Sequence, residues 1–208
     1  MPTAGDGKRP SAKPRAGRGE KRLHYVDCAR HLFADFGYAS VSIDQVAEKA
    51  GISRATLVRM FPDKTDLLRA IGIRWLDTLF PKEEAVEHTP IDVVNRLLGF
   101  TERFSASRRD DPATARIIVS GLAEEVEDEE AVILGELLED AIDRLQPMII
   151  EGQQSGVIRR DIDSRQSSAD FLRFFLGSAL LPFAELKEGD IPTLAIETLL
   201  HGLLKTDV

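Results

Sequence analysis

Cysteine occurs once in the 208 residues, as Cys28. No internal disulfide can form, and a reducing compartment fits. No apolar run approaches the roughly 18 residues that a membrane helix needs. The basic N-terminus has no apolar stretch behind it, so it does not read as a secretory signal. No segment alternates polar and apolar residues long enough for a strand, which points to an all-α chain. His-Glu-x-x-His, Cys-x-x-Cys and phosphate-cradling glycine loops are absent. Nothing arranges Ser, His and Asp as a triad. These gaps predict no enzyme activity, no metal and no cofactor.

Acid is scarce at one end only. Residues 1–65 carry 12 Lys/Arg and 7 Asp/Glu, and the remainder carries 15 and 28, within a net charge of −8. A basic front on an acidic body predicts that the front meets a polyanion. Residues 1–19 are rich in Pro, Gly, Lys and Arg and nearly free of large apolar side chains. They read as a disordered basic arm. The whole chain is 43% hydrophobic and 30% charged, enough to bury a core.

Helical spacing then begins. Tyr25, Val26, Ala29, Leu32, Phe33 and Phe36 share a face of a helix over Arg22–Phe36, ended by Gly37 as a left-handed cap. Ser42 and Gln45 form a capping box for a short helix from Ile43 to Ala50. Gly51 closes it, and Ser53 caps another from Arg54 to Met60. Pro62 stops the chain. Asp63 and Asp66 open a longer helix whose apolar face is Leu67, Leu68, Ile71, Trp75 and Leu79. After a break at Pro81–Pro90 come helices over Ile91–Ser107, Pro112–Glu125, Glu129–Gln154, Arg165–Ala184 and Pro192–Leu204. Pro147 should kink or split the third of these. The total is about nine helices.

Ala50 to Leu68 reads AGISRATLVRMFPDKTDLL. Two short helices joined by a glycine turn match a helix-turn-helix. A helix that enters the major groove needs short polar donors and arginines outside and apolar residues inside. Arg54, Thr56 and Arg59 can face out while Ile52, Leu57 and Phe61 face in. Ser42 and Ser53 lie at helix N-termini, where free amides attract phosphate. Lys64 follows as a further cation. Arg15, Arg18, Lys21 and Arg22 can reach the adjacent backbone or minor groove.

FADFGYASVSIDQVAEKAGISRATLVRMFPDKTDLL, from Phe33 to Leu68, resembles the N-terminal domain of the TetR family of transcriptional regulators. The shared positions are Phe33, Gly37, Tyr38, Val46, Ala47, Gly51, Ile52, Ser53, Thr56, Leu57, Phe61, Lys64 and Leu67. The resemblance implies a homodimer that binds an operator and is relieved by a small molecule. It implies that Ser42 and Lys64 hold phosphates and that Ser53 to Arg59, Ala55 included, contain the base readers. Val58 stands where the family carries Tyr, which implies one backbone contact fewer. Ala55 replaces a Gly and Met60 a His.

The division read from sequence is residues 1–19 as arm, 20–65 as a three-helix DNA-binding domain, and 66–208 as a larger helical ligand-binding and dimerisation domain. Trp75, Phe80, Phe100, Phe104 and Phe183 are candidate ligand contacts, although aromatics at this spacing also suit a plain core. The apolar helix over Ala169–Ala184 and the last helix are candidates for a dimer bundle, through Phe171, Phe174, Phe175, Ser178, Leu181, Ile196, Leu199 and Leu200. The run Glu124–Glu130 reads as a solvated corner rather than a cation site. The expected protein is a cytoplasmic DNA-binding regulator, nucleoid-associated when bound, a repressor released from palindromic double-stranded DNA by an unidentified effector, with no membrane partner. Two alternatives stay open: a helix-turn-helix protein that senses nothing, and an all-helical enzyme or carrier.

Overall fold

Arg18 to Phe36 form helix α1. The Glu20 carboxylate accepts the Gly17 amide at 2.9 Å, so the first turn is held by its own side chain. Arg18 and Gly19, assigned above to the arm, therefore belong to this helix. Tyr25, Val26, Ala29 and Phe33 are buried, as their spacing predicts. The computed structural model describes residues 17–81, 90–123, 129–180 and 202–203.

The chain after Phe36 turns at Gly37, whose φ is 79° and ψ 149°. The φ is positive, as a glycine cap requires, but the ψ is extended, a combination reserved for glycine. Helix α2 spans Ile43–Lys49 and α3 spans Arg54–Val58. Both expected caps form. The Ser42 amide donates to Gln45 Oε1 at 2.7 Å, and the Gln45 amide to Ser42 Oγ at 3.3 Å. The Thr56 amide donates to Ser53 Oγ at 3.2 Å. Gly51 sits between them at φ 68°. Asp63 caps α4, Lys64–Leu79, through the Asp66 amide at 3.0 Å.

The body consists of α5 (Pro90–Asp110), α6 (Pro112–Ala123), α7 (Glu129–Ser155) and α8 (Ser164–Leu180). Helix α7 packs on α4, α5, α6 and α8, and α1 packs on α2, α4 and α6. Of the two outcomes expected at Pro147, a kink or a split, the split does not occur: α7 runs unbroken through it. Leu145 and Ile149, on either side, are completely buried. Their packing outweighs the backbone bond that proline forfeits. Eight helices lie among the described residues. The expected ninth falls outside them except for Gly202 and Leu203, which are helical, with Leu203 accepting from the Arg159 amide at 3.0 Å.

The core is aromatic. Phe100 contacts Phe80, Phe171 and Phe175 at centroid distances of 5.1, 5.5 and 5.6 Å. Phe104 lies 5.5 Å from Phe175 and 5.9 Å from Trp75. Two candidate dimer residues are thereby corrected. Phe171 and Phe175 are 1% and 0% exposed within one subunit, so they fill its core rather than face a partner. Phe174 is only partly buried. The side chain of Ser178 and all of Leu181, Phe183, Ile196, Leu199 and Leu200 lie outside the described residues.

At Gly152, α7 has room for no side chain. A Cβ there would stand 2.5 Å from Ile158 Cδ1 and 3.1 Å from Val93 Cγ1. The Gly152 carbonyl also accepts the Val157 and Ile158 amides at 3.0 and 2.9 Å, which holds Ile158 in place. Gly152→Ala should destabilise by about 1–3 kcal/mol through overpacking, and Ile158→Val should recover part of that in the double variant. Additive losses in thermal melts would show that the two residues do not collide. The Gly51 turn gives a different expectation. Its Cβ site is open, so only backbone strain opposes substitution. Gly51→Asn should cost less than Gly51→Val, by about 1 kcal/mol, because Asn tolerates positive φ. Equal melting shifts would contradict that.

Candidate nucleic-acid interface

Helix α3 is short, and its two faces differ. Leu57 and Phe61 are 0% exposed and fix it to the head. Each such burial stabilises by about 1.5–3 kcal/mol. Arg54, Ala55 and Arg59 are exposed on the outside, and Thr56 is half-buried. Ile52, expected to point inward, is partly buried against the core. The outer face thus offers two guanidiniums, a methyl and a hydroxyl over the length of one turn and a half. That suits base edges and phosphates in a major groove.

The surrounding residues divide into those that are available and those already engaged. Ser42 is exposed at the start of α2. Ser53 Oγ lies 2.9 Å from Thr56 Oγ1, so these hydroxyls form a pair at the start of α3. Arg54 is held loosely by Asp44, at 3.6 Å, with both side chains nearly two-thirds exposed. Such a pair is worth little in water and opens readily to another anion. The α3 stretch carries no acid of its own, but α2 supplies one beside it. Lys21 is exposed near the start of α1. The side chain of Arg18 lies outside the described residues.

Two of the expected DNA contacts, the exposed Arg22 and the half-buried Lys64, also have partners within the chain. The Arg22 guanidinium lies 4.3 Å from the Phe61 ring centroid and donates to the Met60 carbonyl at 3.4 Å. It fastens α1 to the end of α3. Lys64 Nζ donates to the Tyr38 carbonyl at 2.8 Å and lies 4.0 Å from that ring. Burial lowers its pKa, opposed by Glu130 and Glu129 at the start of α7. Burial likewise raises Tyr38 to about 12, helped by the same two glutamates. Lys64 is thus a joint between the turn after α1 and the start of α4. An ammonium has three donors, and one is spent on Tyr38.

Four of the five aromatic ligand candidates come together. Trp75, Phe80, Phe100 and Phe104 line a chamber between α4, α5, α7 and α8, completed by residues such as Leu134, Leu137, Leu172 and Phe175. Its volume is about 40 Å³. That holds a water or two by size but offers water few partners. Every lining residue is apolar, Trp75 Nε1 aside.

Sequence reasoning missed the junction between head and body. Arg30 of α1 pairs with Asp111 at the start of α6. Arg74 of α4 pairs with Asp27 of α1 at 2.9 Å. Arg116 of α6 donates to the Ala34 carbonyl at 3.1 Å. These partners stand 81, 47 and 82 residues apart. No spacing rule within one helix could pair them.

Residues 26–71 match the family model for bacterial regulatory proteins of the tetR family. The chain is 30% identical over 115 residues to the HTH-type transcriptional activator FasR of Mycolicibacterium smegmatis, covering 53% of this chain and 52% of that one. It is 26% identical over 155 residues to the HTH-type transcriptional repressor KstR2 of Rhodococcus jostii, covering 74% and 76%. The chain thus spans about half the length of the first of these relatives. The solved structure of GusR from Salmonella enterica superposes with a TM-score of 0.74 at 24% identity, over 93% of this chain and 100% of that one. The matched segment is the helix-turn-helix head just described, and the eight helices follow the fold of that structure. Over residues 26–71 the head is thus similar to the tetR family of bacterial regulatory proteins, and the whole chain shares the fold of the GusR structure.

Proposed function

We propose that the chain is a transcriptional regulator, a repressor that leaves a palindromic operator when a small molecule binds its body. The outer face of α3 carries this reading: Arg54, Ala55 and Arg59 exposed over a fully buried Leu57 and Phe61. One helix of this length reaches too few bases for a specific site. Two copies, with recognition helices one DNA turn apart, read a palindrome. The partner surface is proposed on the Phe174 face of α8 and on the segment that follows it. Lys21 and the exposed Ser42 supply phosphate contacts.

The effector is proposed to enter the apolar chamber. At about 40 Å³ it is too small for an organic effector, so a ligand must select a state in which the helices stand further apart. The shift is limited by its difference in affinity for the two states. Helix α4 links chamber to head. Its first half buries Leu67 and Leu68, and its second half lines the chamber with Trp75, Leu76 and Leu79. The small volume also favours a second reading, in which the chamber is a packing defect and the protein binds DNA without sensing anything.

Selection of bound fragments from random duplex DNA tests the main reading. A palindrome whose affinity falls steeply with salt, by a slope of about −0.9 per phosphate contacted, is the expected result. The sensing-free reading predicts the same palindrome with no small molecule able to release it. Arg54→Ala and Arg59→Ala should each weaken operator binding by about tenfold, within the roughly 1–3 kcal/mol of an arginine–base contact. Their melting temperatures should not move, since both side chains are exposed. Unchanged affinity in both variants would remove α3 as the reading helix.

A further inference from the structure

An acid stands at the edge of the proposed reading surface. Asp44 lies exposed in the first turn of α2, with its Oδ1 3.6 Å from Nε of Arg54 in α3. The helix dipole favours a carboxylate in a first turn. The cap of α2, however, is made by Ser42 and Gln45, each of which accepts the other's amide. Asp44 is therefore not needed to close that helix start. Facing DNA it carries a cost, since it meets phosphates of its own sign. The two arginines of the reading face differ on this account. Arg54 has a carboxylate beside it, whereas Arg59 forms no ion pair among the described residues.

The atom that meets Asp44 matters. A guanidinium is a planar fork of five donors, and its end presents both Nη groups together. With Asp44 at Nε, that end stays open. The major-groove edge of guanine offers O6 and N7, two neutral acceptors spaced for such a pair. Arg54 can therefore meet guanine and keep Asp44. A phosphate is an anion. If Arg54 reaches one, Asp44 is left either beside that phosphate or unpaired in the field of the backbone. Both arrangements set like charges together. The pair itself opens at little cost in water. The discrimination comes instead from the charge that remains next to the DNA, a repulsive element set against the wrong contact.

We propose that Asp44 is a positioning residue that sets base specificity through Arg54. It reserves that guanidinium for a guanine edge and disfavours its use on the backbone. Arg59 carries no such restriction and serves base or phosphate alike. Each half-site should therefore contain one G·C pair whose recognition needs both Arg54 and Asp44. The inference rests on the regulatory reading above, in which α3 enters the major groove.

The test uses the full chain, Asp44→Asn, Asp44→Glu, Arg54→Ala, and the double variant Arg54→Ala with Asp44→Asn. The parent chain selects its motif from random duplex DNA. Each protein is then titrated at several salt concentrations onto that operator, onto copies with each G·C pair replaced in turn, and onto unrelated duplex. In the parent chain, one replacement should cost about tenfold or more, and Arg54→Ala should remove that preference. Asp44→Asn should reduce the preference to about threefold and tighten binding to unrelated duplex by about threefold. Its salt slope on unrelated duplex should steepen by about 0.9, the mark of one added phosphate contact. Asp44→Glu keeps the charge and should keep most of the preference. Without Arg54, Asp44→Asn should leave every base preference where it was. A merely structural Asp44 predicts a lower melting temperature and a uniform loss on all duplexes, with slope and base preferences unmoved; that result would overturn the inference. A base preference that Asp44→Asn alters even without Arg54 would overturn it too, because Asp44 would then read a base itself. If no motif is selected, the regulatory reading falls and takes this inference with it. A motif whose guanine preference ignores Asp44→Asn sinks this inference alone.

Discussion

Helix α4 has one apolar face, and it runs through the one continuous apolar cluster that head and body share. It starts immediately after Pro62, where Asp63 and Asp66 cap each other's amides. Leu67, Leu68 and Ile71 enter the cluster beneath α1, and Trp75, Leu76 and Leu79 enter it beneath α5 and α7. The helix is continuous, so neither end of the cluster can rotate about α4 without disturbing the other. Interiors this tightly packed deform little and switch between discrete arrangements instead. The placement of α3 depends on the same helix. Phe61 ends the recognition segment and Leu67 and Leu68 follow within two turns, all three fully buried. One continuous helix thus joins Trp75 in the body to the base of α3.

The head was legible in the sequence because its determinants are local. Ser42 with Gln45, Ser53 with Thr56, and Asp63 with Asp66 are each three residues apart, and each cap forms where the spacing places it. Gly37 and Gly51 stand at the two positive-φ positions of the head. The body was legible as helices but not as an arrangement. Phe171 and Phe175 read, on the sequence of α8, as candidates for a dimer bundle. Only the packing of α5 against that helix reveals them as partners of Phe100 and Phe104. The split that Pro147 allowed on sequence is absent for a related reason. Its local cost is fixed by the proline ring, whereas the compensating burial of Leu145 and Ile149 is tertiary.

The cations show the same limit at the level of the site. A lysine or arginine near a DNA-binding helix reads as a phosphate contact whatever its direction. Arg22 instead covers Phe61, and Lys64 covers Tyr38. Both place a charge on an aromatic face and gain from electrostatics there. Arg54 and Arg59 remain outside because the helix that carries them turns its apolar side, Leu57 and Phe61, to the core. Direction, rather than residue type, separates the arginines on the outer face of α3 from the cations laid on an aromatic ring.

The junction of head and body adds ion pairs to that shared cluster: Arg30 with Asp27 and Asp111, and Arg74 with Asp27, beside the bond from Arg116 to the Ala34 carbonyl. Ion pairs of intermediate exposure contribute modestly, since water screens them and desolvation offsets the attraction. What they add is direction, since a guanidinium meets a carboxylate in a fixed fork. Asp111 has a second task, because the same carboxylate caps α6. Burial raises its pKa, but the Thr114 hydroxyl and amide, with Arg30, outweigh that and hold it below the ordinary carboxylate value. It therefore stays charged at neutral pH and holds both the α6 cap and the tie to α1.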